Sequence, residues 1–165
     1  MVSPNSDSGL DATPAPMVRA VESTLVLAFL AGERGGFHEE ALNMNGRERI
    51  VTEMAFRFGR ADIVIFHDDG SATVVEAKDG SRGYNHVLCG IGQVGLYATQ
   101  LAMTKGAITK VRRALMWTST GDMWVDTLIA VACQEAGVIA VEWPTMAVLV
   151  DAITRGRAGW QPPAK

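Results

Sequence analysis

The sequence has little cysteine, few aromatic side chains and no excess of basic charge. Its 165 residues include two cysteines, Cys89 and Cys133, and 7% aromatic residues. Two cysteines cannot build a four-cysteine zinc or iron–sulfur site, which excludes those classes. Both lie in apolar surroundings, so we expect two buried thiols in a reducing, cytoplasmic compartment. The net charge of −3 argues against a uniformly basic nucleic-acid coat but allows a local basic groove.

The chain also lacks a hydrophobic run long enough to cross a membrane. Arg19 and Glu22 interrupt the apolar stretch near the N-terminus, and spanning a bilayer takes about 20 apolar residues. Residues 1–16 are rich in Ser, Pro and Asp and have no basic start, so we expect a flexible tail rather than a signal peptide. We therefore expect a single domain at 17–155, followed by a C-terminal tail at 156–165.

Apolar residues at regular spacing are abundant, at 48% of the chain. Their spacing predicts the order helix, three strands, helix, strand, helix, strand, helix. Three consecutive strands favour an antiparallel meander, and the later helix–strand units add parallel neighbours. The prediction is an α/β fold with a mixed central sheet and helices on both faces. The predicted helices are 17–32, 87–103, 122–135 and 145–154, and the predicted strands are 50–58, 62–67, 72–77, 111–117 and 138–142.

Charged residues occupy two of the predicted strands at places where apolar residues are usual. Asp62 opens one strand, and Glu76 and Lys78 lie two apart on the next. Residues two apart on a strand share a face, and a hairpin can bring Asp62 beside them. Val74 and Val75 predict that this strand is buried on both faces, where ionised groups need a reason. Two carboxylates repel unless a cation lies between them, and a nearby lysine can orient or deprotonate a water, so this group predicts metal-assisted phosphodiester hydrolysis.

The order of elements and these residues resemble the PD-(D/E)xK nuclease superfamily, which has the restriction-endonuclease-like fold. Arg60-Ala61-Asp62 stands where Pro-Asp is common, here without the proline, and Glu76-Ala77-Lys78 matches the acid-x-lysine. Gln93 and Tyr97 match a Gln-x3-Tyr pattern of many branches, and Glu22 matches a first-helix glutamate that several branches use. The resemblance covers most of the chain, from the first predicted helix to the last predicted strand.

The resemblance implies a Mg²⁺-dependent deoxyribonuclease in which Mn²⁺ can substitute. Hard oxygen ligands suit these ions. Lys78 would orient the attacking water, and Gln93 would hold the lysine, the water or a phosphate. The implied metal ligands are Asp62, Glu76, the backbone carbonyl of Ala77 and, as a further candidate, Glu22. The implied catalytic residues are Asp62, Glu76, Lys78 and Gln93.

Position alone indicates the other candidates near the site. Glu53, on the strand before Asp62, is a competing acid that could reach the same region. The histidines share no ligand spacing, so we expect surface or loop residues at His38, His67 and His86, of which His86 could contact substrate. The candidates for substrate binding are Arg57, Arg60, Arg82 and Tyr97.

The sequence contains no zinc finger and no evident helix-turn-helix, so a separate DNA-reading module is not expected. Endonuclease activity that is directed by DNA structure is therefore favoured, with RNA a less favoured substrate. A homodimer or a partner protein is expected to complete the DNA footprint. Two alternatives stay open. One is a non-catalytic nucleic-acid-binding or assembly protein that retains the nuclease fold, and the other is an unrelated α/β protein with a coincidental motif.

Overall fold

A five-stranded mixed sheet runs through the part of the chain that the computed structural model describes, residues 16–31, 40–104, 106 and 108–143. The elements in chain order are α1 (Pro16–Leu30), β1 (Arg49–Phe56), β2 (Gly59–Phe66), β3 (Ala72–Lys78), a 3-10 turn (Gly80–Arg82), α2 (Tyr84–Ala102), β4 (Val111–Thr118), α3 (Met123–Glu135) and β5 (Ile139–Trp143). The predicted helix at 145–154, the predicted C-terminal tail and nearly all of the predicted N-terminal tail fall outside the described residues.

The strands lie side by side in chain order, β1-β2-β3-β4-β5. β1 pairs antiparallel with β2 and β2 with β3, whereas β3, β4 and β5 are parallel. Tight turns suffice for the antiparallel pairs, such as the β2–β3 turn, where Gly70 has a φ of 81°. The parallel pairs need crossovers, which α2 and α3 provide. The predicted α/β fold with a mixed sheet is therefore confirmed.

Successive side chains along each strand point to opposite faces of the sheet, so the hydrophobic core has one part on each face. Ile63 and Val75 belong to the cluster under α1, while Val64 and Val74 belong to the cluster under α2 and α3. All seven residues of β3 are buried. The expectation of a strand covered on both faces is thus confirmed, and any charged side chain on β3 lies within the core.

Three features differ from the sequence-based expectations. Cys89 is exposed, because it lies on the solvent side of α2, whereas Cys133 is buried and burial raises the pKa of its thiol to about 11. His67 lies in the loop after β2, as expected, but it is buried there, with Nε2 2.8 Å from the Thr73 hydroxyl. β2 begins at Gly59, three residues before its predicted start at Asp62, so the β1–β2 turn falls at 57–58.

Within the described residues, no helix combines the length and apolarity that crossing a bilayer requires.

Candidate active site

Asp62 and Glu76 face each other across neighbouring strands. Ile63 pairs with Val75 and Val64 with Val74, so the same antiparallel register continued by one residue sets Asp62 opposite Glu76. Oδ2 of Asp62 also accepts a 2.7 Å hydrogen bond from the backbone N–H of Ala77. Like charges directly opposite each other on a sheet are destabilising. The register therefore brings together two carboxylates that repel each other.

Lys78 lies on the same face of β3 as Glu76 and contacts its carboxylate. Glu76 and Lys78 are only 4% and 6% exposed, and Nζ of Lys78 donates a 2.8 Å hydrogen bond to Oε1 of Glu76. The other carboxylate oxygen of Glu76, Oε2, is buried without a hydrogen-bond partner among the described residues. A buried oxygen without a partner is costly, and a bound cation or water would satisfy it.

Burial and mutual charge interactions shift the pKa values of Asp62, Glu76 and Lys78. Burial, reinforced by the charge of Asp62, raises the pKa of Glu76 to about 7 against the opposing effect of Lys78. Burial also raises the pKa of Asp62, although the Ala77 N–H and the Lys78 charge oppose this shift. For Lys78, burial lowers the pKa, but the charge and hydrogen bond of Glu76 outweigh it and the net shift is upward. The lysine is therefore an ammonium at neutral pH.

A close approach of α2 to β3 holds Lys78 in place. Gly90 of α2 has no side chain, and a Cβ built there would lie 3.2 Å from Cγ and 3.3 Å from Cε of Lys78. Gln93 follows three residues later and so lies on the same side of α2. Its buried Oε1 has no hydrogen-bond partner among the described residues. The Gln-x3-Tyr pattern thus singled out a residue whose side-chain oxygen is buried. The predicted contact of Gln93 with the lysine, a water or a phosphate stays a prediction.

Tyr97, one turn beyond Gln93, packs against the end of the β1–β2 hairpin. Its ring stacks on Phe56 with centroids 5.9 Å apart. A Cβ added to Gly59 would lie 2.6 Å from the Tyr97 hydroxyl, so the tyrosine packs closely on this glycine. The side chain is 8% exposed. The structure thus gives Tyr97 a packing contact, and its role in substrate binding stays a prediction.

The three arginines proposed for substrate binding lie at different places around the site. Arg60, at the start of β2, forms an ion pair with Glu53, Nε to Oε2 at 2.6 Å. The guanidinium of Arg57 lies in the hairpin turn, 5.1 Å from the ring centroid of Phe58. Arg82 is exposed at the end of the 3-10 turn. Their contact with DNA stays a prediction.

A cleft of about 460 Å³ separates α1 from the β1–β2 hairpin and reaches Asp62. The cleft is lined by the two other candidate acids, Glu22 on α1 and Glu53 on β1. The negative charge of each contributes to the raised pKa of Asp62. Glu53 has a φ of 56°, a left-handed conformation that is unusual for a strand residue. The lining residues are Glu22, Ser23, Val26, Leu27, Leu30, Thr52, Glu53, Arg60 and Asp62.

His86 contacts the site in a way that sequence reasoning missed. It lies in the first turn of α2, and its Nε2 is 3.0 Å from Oε1 of Glu22 on α1. The charge of Glu22 in turn contributes to the raised pKa of Glu76 and of Lys78. No spacing rule links residues 22 and 86, so only an alignment or a structure could have paired them.

The segment after Lys78 is anchored rather than an open flexible loop. Asp79 is buried, and its Oδ1 accepts hydrogen bonds from the Ser81 N–H at 2.9 Å and the Ser81 hydroxyl at 2.6 Å. The N–H of Gly80 donates a 3.0 Å hydrogen bond to the hydroxyl of Thr118. The Asp-x-Ser pattern is a signal that could have predicted this turn. The turn fixes the position at which α2 starts.

The carboxylates of Asp62 and Glu76 could supply some, but not all, of the oxygen ligands of a hard divalent cation. No group of three or more His, Cys, Asp or Glu side chains in the described part of the chain is arranged to hold a metal. However, Mg²⁺ often uses one or two carboxylates and completes its shell with water. Asp62 and Glu76 supply two carboxylates with raised pKa values, and Oε2 of Glu76 lacks a partner within the described residues. That donor set suits Mg²⁺ or Mn²⁺.

Comparison with known proteins finds a likeness in structure but none in family or curated sequence. No family model matches the chain, and no curated protein matches it. Among solved structures, a repair endonuclease from Pyrococcus abyssi matches with a TM-score of 0.44 and 19% sequence identity. The match covers 70% of this chain and 46% of that one, so this chain spans less than half of the matched protein.

Proposed function

We propose that this protein is a Mg²⁺-dependent nuclease that hydrolyses phosphodiester bonds in DNA. One observation carries the proposal: the β2–β3 register, continued by one residue, sets Asp62 opposite Glu76 of the buried strand β3, and the Lys78 ammonium lies 2.8 Å from Glu76. A solvated ion pair would be largely exposed, whereas the side chains of Glu76 and Lys78 are 5% and 8% exposed. Buried, crowded carboxylates of raised pKa are characteristic of functional sites. The resemblance of Asp62, Glu76-x-Lys78 and Gln93 to the PD-(D/E)xK pattern supports the same reaction.

Each residue has a distinct role in the proposed reaction. Asp62, Glu76 and the Ala77 carbonyl would hold the cation, which when bound supplies Lewis acidity and a more acidic water. Lys78, whose ammonium contacts Glu76, would donate hydrogen bonds to the attacking water or to a phosphate oxygen. Gln93 offers an amide on the same side of α2 for the water or the phosphate.

Substrate binding is assigned to the positive side chains around this group. Arg57, Arg60 and Arg82 would contact backbone phosphates, which position DNA without reading its sequence. Because phosphate contacts do not read sequence, the proposed activity is endonuclease cleavage that is directed by DNA structure. A second copy of the chain or a partner protein would supply the rest of the footprint, since the net charge of this chain is −3.

The test is cleavage of labelled nucleic acids in Mg²⁺, Mn²⁺ and EDTA. The panel holds DNA and RNA single strands, blunt duplexes, flaps, four-way junctions and closed circles. Glu76→Gln removes the charge at the site while keeping its size, and Glu135→Gln makes the same change at an exposed glutamate of α3. We expect metal-dependent cutting of DNA by the wild type and by Glu135→Gln, and a loss of about 100-fold or more in Glu76→Gln.

Other outcomes would change the assignment in defined ways. Binding of DNA without cleavage under every condition would support the non-catalytic alternative. Mg²⁺-dependent cleavage that survives Asp62→Ala would show that the site is elsewhere. Loss of metal binding in Lys78→Ala, rather than of turnover alone, would mean that the lysine has a structural role and that the proposed mechanism is wrong.

A further inference from the structure

The solvent side of α3 is almost entirely uncharged. Met123 and Trp124 are 85% and 69% exposed, and Leu128 and Val131 are 50% and 48% exposed. Among the residues of α3, all of which the structure describes, Glu135 is the one exposed side chain that carries a charge. A helix that packs on a sheet with one side is normally polar on the other. The exposed side chains of α3 are Met123, Trp124, Thr127, Leu128, Val131, Gln134 and Glu135.

Three of these apolar side chains form a stripe along the helix. Trp124, Leu128 and Val131 follow one another at intervals of four and three residues, which places them on one line of the helix surface. The seam between two paired helices has the same spacing. A groove of about 510 Å³ runs beside the stripe, between α3 and the start of β5, and Val131 lines it together with uncharged residues only. The stripe, Met123 and this groove form one continuous surface, which we call the α3 face.

The α3 face is large enough for a protein interface. Its four exposed apolar side chains present on the order of 500 Å², a size at which a contiguous patch marks an interaction site. A specific interface of standard size buries about 800 Å² on each partner, so the side chains and the groove together provide most of one. A two-fold interface uses the same patch on both copies, so a second copy of this chain needs no other apolar surface.

The charges at the two ends of α3 favour a second copy that packs antiparallel. Asp122 is exposed at the N-terminal end, where its carboxylate caps the helix. At the C-terminal end, the guanidinium of Arg113 donates a 3.0 Å hydrogen bond to the carbonyl of Ala136, the residue after Glu135, so that end has one charge of each sign. In an antiparallel pair, Asp122 of each copy would lie near Arg113 of the other. A parallel pair would instead bring the two Asp122 carboxylates together, which is unfavourable.

We propose that the α3 face is a homodimer interface, in which two copies of α3 pack antiparallel about a two-fold axis near Leu128. The stripe is centred on Leu128, so this residue meets its own counterpart, while Trp124 of each copy meets Val131 of the other. The exposed indole of Trp124 is the kind of large aromatic anchor that contributes most to binding energy at interfaces. Dimerisation through this face does not require the nuclease chemistry proposed above.

Sedimentation equilibrium of the full chain tests the interface. Leu128→Lys places a charge at the centre of the α3 face on both copies, so the dimer dissociation constant should rise by about 100-fold or more. Leu27→Lys is the matched control, because Leu27 is also 50% exposed but lies on α1, which covers the opposite side of the sheet. It should leave the constant unchanged. A wild type that is monomeric at roughly 0.1 mM, or a Leu128→Lys dimer as tight as the wild type, would overturn the proposal.

Cross-linking tests the two-fold geometry without weakening the dimer. Cys89→Ser removes the exposed cysteine, while Cys133 is buried, and Leu128→Cys in this background places a thiol at the expected axis. A disulfide forms only where the two Cα atoms lie within about 7 Å. Oxidised glutathione should therefore give a covalent dimer of Leu128→Cys and none of Leu27→Cys. A wild-type dimer without a cross-link at Leu128, or with equal cross-linking at both positions, would refute the antiparallel arrangement.

Assembly and catalysis fail separately. Glu76→Gln should lose cleavage and remain a dimer. If the wild type dimerises through the α3 face but cleaves no nucleic acid, only the proposed nuclease function is wrong. If the wild type is monomeric and Leu128→Lys lowers its unfolding midpoint, the chain itself covers the α3 face and the homodimer is refuted.

Discussion

Replacing Gly90 by alanine tests the contact that places Lys78 in the site. A Cβ at Gly90 would lie 2.4 Å from Cδ1 of Leu115, as well as 3.2 Å and 3.3 Å from Lys78 carbons. Leu115 is fully buried, so its side chain cannot swing away into solvent. Overpacking of this kind costs about 1–3 kcal/mol. Alanine also recovers about 1 kcal/mol of helix propensity, so Gly90→Ala should be neutral to about 2 kcal/mol less stable.

The same helix contains matched controls. A Cβ at Gly92 or Gly95 would meet no heavy atom of the described residues within 4 Å. Gly92→Ala and Gly95→Ala should therefore gain about 0.5–1 kcal/mol from helix propensity alone. The difference between Gly90→Ala and Gly95→Ala isolates the overpacking, because both gain the same propensity. It should be about 1–3 kcal/mol in urea unfolding, or about 2–4 °C in the midpoint for each kcal/mol.

The catalytic consequence of Gly90→Ala follows from the shift of Lys78. Its stem must move by a few tenths of an ångström, which disturbs the 2.8 Å contact between its Nζ and Glu76. We expect cleavage to fall by about tenfold, because small displacements of a positioned group are costly. Equal stability of Gly90→Ala and Gly95→Ala would refute the close packing of α2 on β3. Lowered stability with full activity would refute the role of that packing in positioning the lysine.

Three further predictions concern residues other than the proposed cation ligands. Asp126 accepts three hydrogen bonds, including one from the buried indole of Trp117, so Asp126→Ala should lose roughly 2–4 kcal/mol in urea unfolding, and a loss under 1 kcal/mol would contradict its structural role. Burial lowers the pKa of His67 below 6.5, so its contribution to stability is present above that pH and lost as the pH falls. The free energy of unfolding of the wild type should decline more steeply from pH 7 to pH 5 than that of His67→Gln. Parallel declines in the two proteins would refute the lowered pKa of His67. Gly59→Ala should destabilise the fold and shift Tyr97, because Gly59 has a φ of 116° and a Cβ would meet the Tyr97 hydroxyl at 2.6 Å; an unchanged unfolding midpoint would contradict that contact.

Within the described residues, local patterns in the sequence were sufficient for the helices and strands and for their order. The predicted strands agree with β1 to β5 to within a few residues, because alternation reports directly on backbone geometry. Val74 and Val75 predicted that β3 is covered on both faces, and the structure agrees. Spacing alone also placed Glu76 and Lys78 on one face of that strand.

Contacts between distant segments were not predictable in the same way. The pairing of His86 with Glu22, the burial of His67 and the packing of Tyr97 on Gly59 each depend on which faces meet after folding. Cys89 was misjudged for the same reason, since apolar neighbours along the chain do not reveal which side of a helix faces the sheet.

The sequence by itself determined the mixed α/β architecture and the residue types of the candidate site, because periodicity and turn chemistry are local properties of the chain. The tertiary structure decided the register that sets Asp62 opposite Glu76, and the burial that raises the pKa of Glu76 to about 7. It also decided the close approach of Gly90 to Lys78 and the hydrogen bond that joins α1 to α2. Register, burial and helix docking depend on packing among segments far apart in sequence, and that packing is a property of the whole folded chain.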